Sequence, residues 1–486
     1  MDLISKYRIH TFTRIDLLVA AIMGILTTAL YTYTMTPTVS AGDSGELIVA
    51  IHFLGIAHAP CYPLYSYMGK LMTFLPIESI GWRANFFSSF CGGLIVFFSV
   101  LVFIKLLASC GTRALYTRIA AAIVGAAWAT SGVIWSARCQ TRATAMSAVF
   151  FPVLLLILLR WQDEVIERNS EKAAVPYFGE KYLLAFAMLF GFAMGGHQTI
   201  LGTAGFGFMH IVTVLLIFVV APRRLSAEQI LHGLGLLATA VVVLAIAYGV
   251  YYKFIVSLDS NLYDTNNVKI GMITFIVCNL ALLGVYLFYK FLAPDLVDPH
   301  NPLQRGFFVL IKMFMMFYLG YAILLYMIIR AHGNPPINWM GINEVEDWWL
   351  KFGKFFNAIW RKQYGNMGIL PLSLEGLPMW FGIAITKLNG PNFTVIFWLF
   401  AAAGAVSQFF KDRLWFFLSL WAIFSYNVIM TLYLRYYPDD RALSFIKDFY
   451  VFSYWACTIP MAYGVAWMME GMEKGLGKLT GAKKIA

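Results

Sequence analysis

Residues 17–35 read LLVAAIMGILTTALYTYTM, and residues 36–46, which follow them, read TPTVSAGDSGE. As a helix with a rise of about 1.5 Å per residue, the first stretch is long enough to cross a bilayer. Asp43 and Glu46 come soon after it, and carboxylates beside a membrane exit indicate a functional site. The same spacing also fits a capping box, with Asp43 as the helix N-cap and Glu46 as its partner. The two interpretations do not exclude each other.

The composition of the whole chain indicates a polytopic membrane protein. Hydrophobic residues make up 60% of the 486 residues and charged residues only 13%, and the mean hydropathy is +0.71. A soluble domain of this length does not require so much apolar material. The net charge of +11 does not indicate nucleic-acid binding, because the basic residues fall in loops that flank apolar stretches.

The apolar stretches predict an all-α membrane protein with about twelve transmembrane helices. We place them at residues 17–36, 85–108, 116–135, 143–160, 182–197, 199–220, 230–252, 269–291, 307–330, 392–410, 413–433 and 449–470. Loops on the side of the N-terminus are nearly all basic, which by the positive-inside rule places both termini in the cytoplasm. The N-terminal residues show no small-residue cleavage site, so we expect a retained end and not a signal peptide.

Two sizeable segments between predicted spans lie on the opposite, outer side of the membrane. Residues 36–83 form a first outer loop, whose AHAPCYPLYSYMGKLMTFLPI stretch suits an amphipathic helix along the membrane interface. Residues 331–391 form an outer loop rich in Trp, which favours the headgroup level. We therefore predict a transmembrane core with a catalytic first loop (1–330), the Trp-rich loop, and C-terminal helices with a basic tail (392–486).

The sequence indicates neither a metal site nor a soluble cofactor. The six cysteines are scattered, without metal-ligand spacing or a disulfide framework. No Walker loop, dinucleotide fingerprint, HExxH motif or nucleophile elbow is present in the sequence. We therefore expect no metal and no cofactor.

His58 and Arg83 are the first candidates for substrate binding. His58 precedes Pro60 and Pro63, which predict a rigid turn that exposes the imidazole. Its alternative is a structural histidine at the membrane surface. Arg83 opens the second span on the outer side, against the charge rule. It either extends to lipid phosphate or binds a substrate phosphate, and we favour the second because it shares a loop with Asp43.

Further basic and polar residues are predicted on the outer side. His197 follows a glycine pair, which lets another backbone or a ligand approach closely. The remaining candidates for binding a donor phosphate are Arg138, Arg142, Arg361 and Tyr364. Arginines around a few carboxylates suit recognition of a phosphate beside a general base. Their alternative is simple pairing with nearby acidic residues.

These motifs, in this order, resemble a family of membrane proteins related to protein O-mannosyltransferases. The resemblance is carried by TPTVSAGDSGELIVA, GIAHAPCYPLY, WRANFFSS, the GGH that ends at His197, NPPINW and RKQYG. It implies the GT-C glycosyltransferase fold, a polyprenyl-phosphate sugar as donor, and a catalytic acid in the first outer loop. That acid maps onto Asp43, with Glu46 as second choice. The chain departs from the family where Arg142 replaces a glutamate and Cys61 replaces a glycine.

The sequence therefore predicts a glycosyltransferase that passes mannose or a similar hexose to a hydroxyl of an exported protein or glycan. We expect it in the bacterial inner membrane, with its active side facing the periplasm. A transporter is disfavoured because the spans carry little charge and the halves are unlike. A non-catalytic accessory subunit of a membrane complex remains the alternative, because Arg142 changes the expected site.

Overall fold

The structure is a computed structural model, and it describes residues 7–170, 175–256, 265–359, 392–434 and 447–480, together with Gly382. The helices of the first half are α1 (Arg14–Thr34), α2 (Ser44–Phe53), α3 (Pro63–Met72), α4 (Ile80–Ser109), α5 (Ala114–Ala129), α6 (Gly132–Arg138), α7 (Thr144–Ser170), α8 (Glu180–Ala193) and α9 (Gly202–Leu215). Those of the second half are α10 (Ala227–Tyr251), α11 (Thr265–Leu287), α12 (Pro302–Tyr321), α13 (Tyr326–His332), α14 (Trp348–Ile359), α15 (Val395–Lys411), α16 (Arg413–Leu434) and α17 (Val451–Thr480).

The all-α membrane fold predicted from the sequence is confirmed. Among the described residues, seven helices are long and apolar enough to cross a membrane, or eight if the bent pair α5 and α6 is one span. The helix α8 has only 14 residues and ends at Ala193, within the short, glycine-rich fifth segment of the prediction. The count of twelve and the orientation of the termini stay predictions.

The first loop is anchored to the helices that precede and follow it. α1 begins with a capping box, in which Thr13 Oγ1 accepts a hydrogen bond from Asp16 N at 3.2 Å. The helix α1 packs against α4. From α4, Asn85 Nδ2 donates to the carbonyl oxygens of Thr36 and Thr38, at 2.6 and 2.7 Å. Because Asn85 is fully buried, these bonds fix the exit of α1 at the point where the loop begins.

Two short helices, α2 and α3, occupy the first loop, which confirms a helix within the stretch predicted to be amphipathic. α3 buries Leu64 and Tyr65 against the core, whereas Met68 and Leu71 are exposed. One face of this helix is therefore apolar and open, as an interfacial helix requires.

The C-terminal helices place a short turn beside the first half of the chain. α15 and α17 cross at Gly404 and Gly464, where an added Cβ would collide with a backbone carbonyl of the other helix. Only glycine permits so close a crossing. Immediately before α17, residues Lys447–Tyr450 form a 3-10 turn that packs against α6.

Candidate functional site

Asp43 lies at the start of α2 without capping it. It occupies the N-cap position, but its side chain accepts no capping hydrogen bond. The residue is exposed, and Glu46 points to His58 instead of back to the helix start. The capping box that the spacing allowed is therefore not formed.

Glu46 and His58 form a two-point contact across the loop. Glu46 Oε1 accepts the backbone N–H of His58 at 2.5 Å, and Oε2 lies 2.9 Å from His58 Nδ1. Burial raises the pKa of Glu46, but the hydrogen bonds and charge of His58 outweigh it, so the pKa lies below its usual value. The His58 side chain is only 12% exposed, so the prediction of an exposed imidazole is wrong.

A series of ring contacts leads from His58 into the core. The Tyr62 hydroxyl lies 3.0 Å from His58 Nε2, and the Tyr62 ring stacks on His197 with centroids 5.3 Å apart. His197 is buried, and its Nδ1 accepts the backbone N–H of Thr199 at 3.1 Å. His197 also contacts Phe449 edge-on, with ring centroids 5.3 Å apart. The first loop is thereby joined to the turn that precedes α17.

Backbone conformation in the turn after His58 explains how these rings meet. Cys61 and Tyr62 are left-handed, with φ of +74° and +46°. This conformation is unfavourable for residues other than glycine.

The glycine pair before His197 lies against the first loop. Leu64 N donates to Gly195 O at 2.9 Å, and a Cβ on Gly195 would meet Ile323 at 2.7 Å. The close backbone approach predicted for the glycine pair before His197 is therefore confirmed.

Arg142 is held by a carboxylate from the far end of the chain. Its Nη1 donates to Asp448 Oδ2 at 3.0 Å. With the Gln140 amide turned to satisfy both neighbours, its oxygen accepts from Nε and Nη2 of Arg142 and its nitrogen donates to Ser40, each at 3.0 Å. Ser40 N in turn donates to Ser44 Oγ at 3.3 Å, at the start of α2.

These contacts close into a ring that begins and ends at α2. We call it the first-loop cluster and define it as Ser40, Glu46, His58, Tyr62, Gln140, Arg142, His197 and Asp448. The ring closes through the chain itself, because Phe449, which contacts His197, follows Asp448. Asp43 lies between Ser40 and Glu46 in the sequence, at the start of α2.

Arg138 adds a second positive charge next to the cluster. It is 1% exposed, and its Nη1 donates to Thr144 Oγ1 at 3.3 Å. Its Nε and the Asp448 Oδ1 atom are buried and have no hydrogen-bond partner. Asp448 therefore interacts electrostatically with Arg138 and forms an ion pair with the partly exposed Arg142. Two guanidinium groups and one carboxylate leave an excess of positive charge, which favours an anionic ligand.

Arg83 has a different environment from the one we favoured. Its guanidinium donates to the carbonyl oxygens of Ile77, Thr73 and Glu78, at 2.6, 2.6 and 2.8 Å. These bonds hold the end of the first loop and favour a structural role. Arg361 and Tyr364 lie outside the described residues.

The sequence did not reveal several members of this arrangement. Asp448, Gln140 and Tyr62 meet their partners only through tertiary packing, with Asp448 lying 306 positions from Arg142. Asn85 gave a signal, as an amide inside an apolar helix. Within the described ranges, no three His, Cys, Asp or Glu side chains gather as they would around a metal ion.

The fold and the cluster define an all-helical, polytopic membrane protein with a carboxylate-bearing site in the loop after its first helix. Residues 43–225 match the family model described as the N-terminal domain of protein O-mannosyl-transferase TMEM260. The predicted resemblance to protein O-mannosyltransferase-like proteins is thus confirmed over this part of the chain. The match begins at Asp43 and includes all of the first-loop cluster except Ser40 and Asp448.

Two curated relatives carry the same name. The chain is 28% identical over 177 residues to protein O-mannosyl-transferase tmem260 of Dictyostelium discoideum, covering 35% of this chain and 20% of that protein. It is 26% identical over 147 residues to the Mus musculus protein, covering 30% of this chain and 20% of that protein. The chain thus matches about a fifth of the length of these relatives. No solved structure matches it.

Proposed function

We propose that this protein transfers a hexose, with mannose as first choice, from a polyprenyl phosphate to a hydroxyl of an exported protein or glycan. The observation that carries the proposal is the position of Asp43. It is an exposed carboxylate without a capping bond, in the same loop as Ser40 and Glu46 of the first-loop cluster. The cluster holds Arg142, paired with Asp448, and the domain is similar to O-mannosyl-transferases.

In this proposal Asp43 is the general base. It accepts the proton of the acceptor hydroxyl while the hydroxyl oxygen bonds to the anomeric carbon of the sugar. The bond from that carbon to the phosphate oxygen breaks, and the polyprenyl phosphate leaves with the electron pair. General-base assistance of this kind contributes roughly 10²- to 10⁴-fold in rate. Glu46 is the second choice, but its carboxylate is engaged by His58.

Arg138 and Arg142 stabilise the leaving phosphate. A guanidinium group that faces developing negative charge in a buried site stabilises the transition state electrostatically. Asp448 positions Arg142 through their 3.0 Å contact, and Gln140 holds the other side of the same guanidinium. A monophosphate leaving group bound in this way requires neither a metal nor a cofactor.

The proposed orientation places the first-loop cluster on the outer face, in the periplasm of a bacterial inner membrane, with both termini cytoplasmic. It rests on the basic loops between predicted spans. Cysteines introduced at the exposed Asn343 and Arg224 distinguish the two sides. A membrane-impermeant thiol reagent should label Asn343→Cys in intact cells and Arg224→Cys only after lysis. The reverse pattern would place the cluster in the cytoplasm.

Sugar transfer by the purified full chain in proteoliposomes tests the function. The donors are polyprenyl phosphates that carry labelled mannose or glucose, and the acceptors are Ser- and Thr-containing peptides. We expect label in the peptide with at least one donor, and hydrolysis of the donor without peptide labelling would point to a different acceptor. No consumption of any donor would overturn the enzyme proposal.

A second candidate is a non-catalytic accessory subunit. The observation in its favour is that Arg83 and Arg142 already have protein partners for their guanidinium groups. An accessory subunit predicts no donor consumption and co-purification with another membrane protein. An enzyme predicts turnover by the chain alone.

A further inference from the structure

A cavity of about 520 Å³ lies between the turn at Ile337–Gly341 and helix α14. Its lining includes Asn338, Trp339, Met340, Glu344, Lys354 and Asn357. This volume is typical of small-molecule sites. The cavity is joined to the first loop, because Ile56 N donates to Ile337 O at 2.8 Å and Trp339 N donates to Ile56 O at 3.1 Å. Ile56 precedes His58 by two residues.

Two amide oxygens in the lining lack hydrogen bonds. The Oδ1 atoms of Asn338 and Asn357 are buried and unpartnered. The Asn338 orientation is fixed, because its Nδ2 donates to Ala331 O at 3.1 Å. A buried unpaired acceptor costs about 1–3 kcal/mol, so it calls for an explanation. A ligand that brings O–H or N–H donors and displaces the atoms that cover these oxygens provides one.

The rest of the lining combines apolar side chains with one pair of opposite charges. The Trp339 side chain is 57% exposed, although an indole normally packs against apolar surface. Among the described residues of the lining, Glu344 is the only carboxylate, and it pairs with Lys354 at 2.9 Å. The two acceptor oxygens disfavour an anion, and the lysine at the carboxylate disfavours a metal ion. A neutral ligand with many donors and one apolar face remains.

We infer that this cavity binds a saccharide unit. Hydroxyl groups of a pyranose satisfy the amide oxygens, and its C–H face packs on the Trp339 indole. The inference does not depend on catalysis at Asp43. If the transfer proposal holds, the cavity receives a sugar that the acceptor already carries, on the same side as the first-loop cluster.

Saturation-transfer NMR tests the inference with the full chain in nanodiscs. The probes are methyl α-D-mannopyranoside and an α-linked mannobiose at millimolar concentration. Saturation transfer to at least one of them is expected in the wild type, with at least a five-fold loss in Trp339→Ala and in Asn357→Ala. Trp348→Ala is the matched control, because its side chain is 54% exposed on the same loop and does not line the cavity.

Several outcomes would overturn the inference. They are absence of signal with both sugars in the wild type, an unchanged signal in Trp339→Ala, or an equal loss in Trp348→Ala. A Ser- and Thr-containing peptide that gives a Trp339-dependent signal where the sugars give none would make the cavity a polypeptide site instead. The readout is sugar binding without any polyprenyl-phosphate donor, which separates this test from the transfer assay.

Discussion

Helices α2 and α14 both begin after an exposed aspartate, yet the two carboxylates behave differently. Asp347 Oδ1 accepts the backbone N–H groups of Trp349 and Leu350, at 2.8 and 3.0 Å. Asp43 occupies the N-cap position of α2, and its side chain accepts no such bond. Helix capping therefore accounts for an aspartate at position 347 but not for one at position 43. An acidic residue at a helix start is informative about function only when the cap is left unmade.

The largest expected effect is the loss of transfer in Asp43→Asn. The substitution keeps the size of the side chain and removes the proton acceptor, so we expect transfer to fall by roughly 10²- to 10⁴-fold. Stability should change by less than about 0.5 kcal/mol, because no capping bond is lost. Labelled-sugar incorporation and thermal unfolding measure the two quantities. Transfer at the wild-type rate would move the role of base to Glu46.

The next effect is a loss of stability in Glu46→Ala. The substitution removes two hydrogen bonds to His58, and bonds to charged groups contribute about 1.5–3 kcal/mol each. Because both bonds end on one carboxylate that is 21% exposed, their contributions do not add fully, and we expect the free energy of unfolding to fall by about 2–3 kcal/mol. Glu344→Ala is the matched control, because its ion pair is 70% exposed on the glutamate side and such pairs contribute less than about 1 kcal/mol. Equal losses in both variants would contradict a larger contribution from the partly buried Glu46.

Acid should weaken the same contact. The folded-state pKa of Glu46 lies below its usual value, so its stabilisation is complete above the unfolded pKa of about 4.5 and is lost as pH falls through the folded pKa. Thermal unfolding between pH 6 and 3 should therefore show a smaller decrease in Glu46→Gln than in the wild type. Parallel curves for the two proteins would show that the carboxylate does not carry this dependence.

Asp347→Ala supplies the counterpart to Asp43→Asn. Loss of a capping side chain costs typically about 1 kcal/mol, and we expect this loss in stability without a change in transfer per folded molecule. Asp347→Asn should restore the cap. If transfer fell in Asp347→Asn as it does in Asp43→Asn, the contrast between the two helix starts would have no functional meaning.

The smallest effect concerns the left-handed turn that carries His58 toward Glu46. Cys61 has φ of +74° and is 1% exposed, so replacing it changes both strain and packing. Cys61→Gly and Cys61→Ala both remove the thiol, so the difference in stability between these two variants reports mainly the backbone strain. The glycine variant should be more stable than the alanine variant by about 1 kcal/mol. An alanine variant at least as stable as the glycine variant would show that the backbone at position 61 is not strained.

Much of the fold could be predicted from the sequence, because long apolar stretches determine helices directly. Residues 17–36 and 199–220, for example, correspond to Arg14–Thr34 and Gln198–Val220. The site could be predicted only in part. The residues of the first loop are neighbours along the chain, so Asp43, Glu46 and His58 were identified together. Their relative orientations could not be predicted, because they depend on the turns before and after His58. Leu54, Cys61 and Tyr62 are left-handed in these turns, and no hydrophobic pattern encodes that conformation.

The arginines show the limit more clearly. Arg83 and Arg142 look alike in the sequence, since both were placed on the outer side by loop charge. Only tertiary packing separates them, giving Arg83 three backbone carbonyl partners and Arg142 a carboxylate from the other end of the chain. Ion pairs of that range leave no periodic signal.

The distance in sequence between Arg142 and Asp448 also has a consequence in time. At about 5–20 residues per second, the ribosome adds the 306 positions between them in roughly 15–60 s. Throughout that interval the guanidinium is in the nascent protein without its counter-ion. The cluster around Arg142 therefore cannot be complete while the last helices are still being synthesised, and a nascent chain should acquire donor binding only once Asp448 has reached its place.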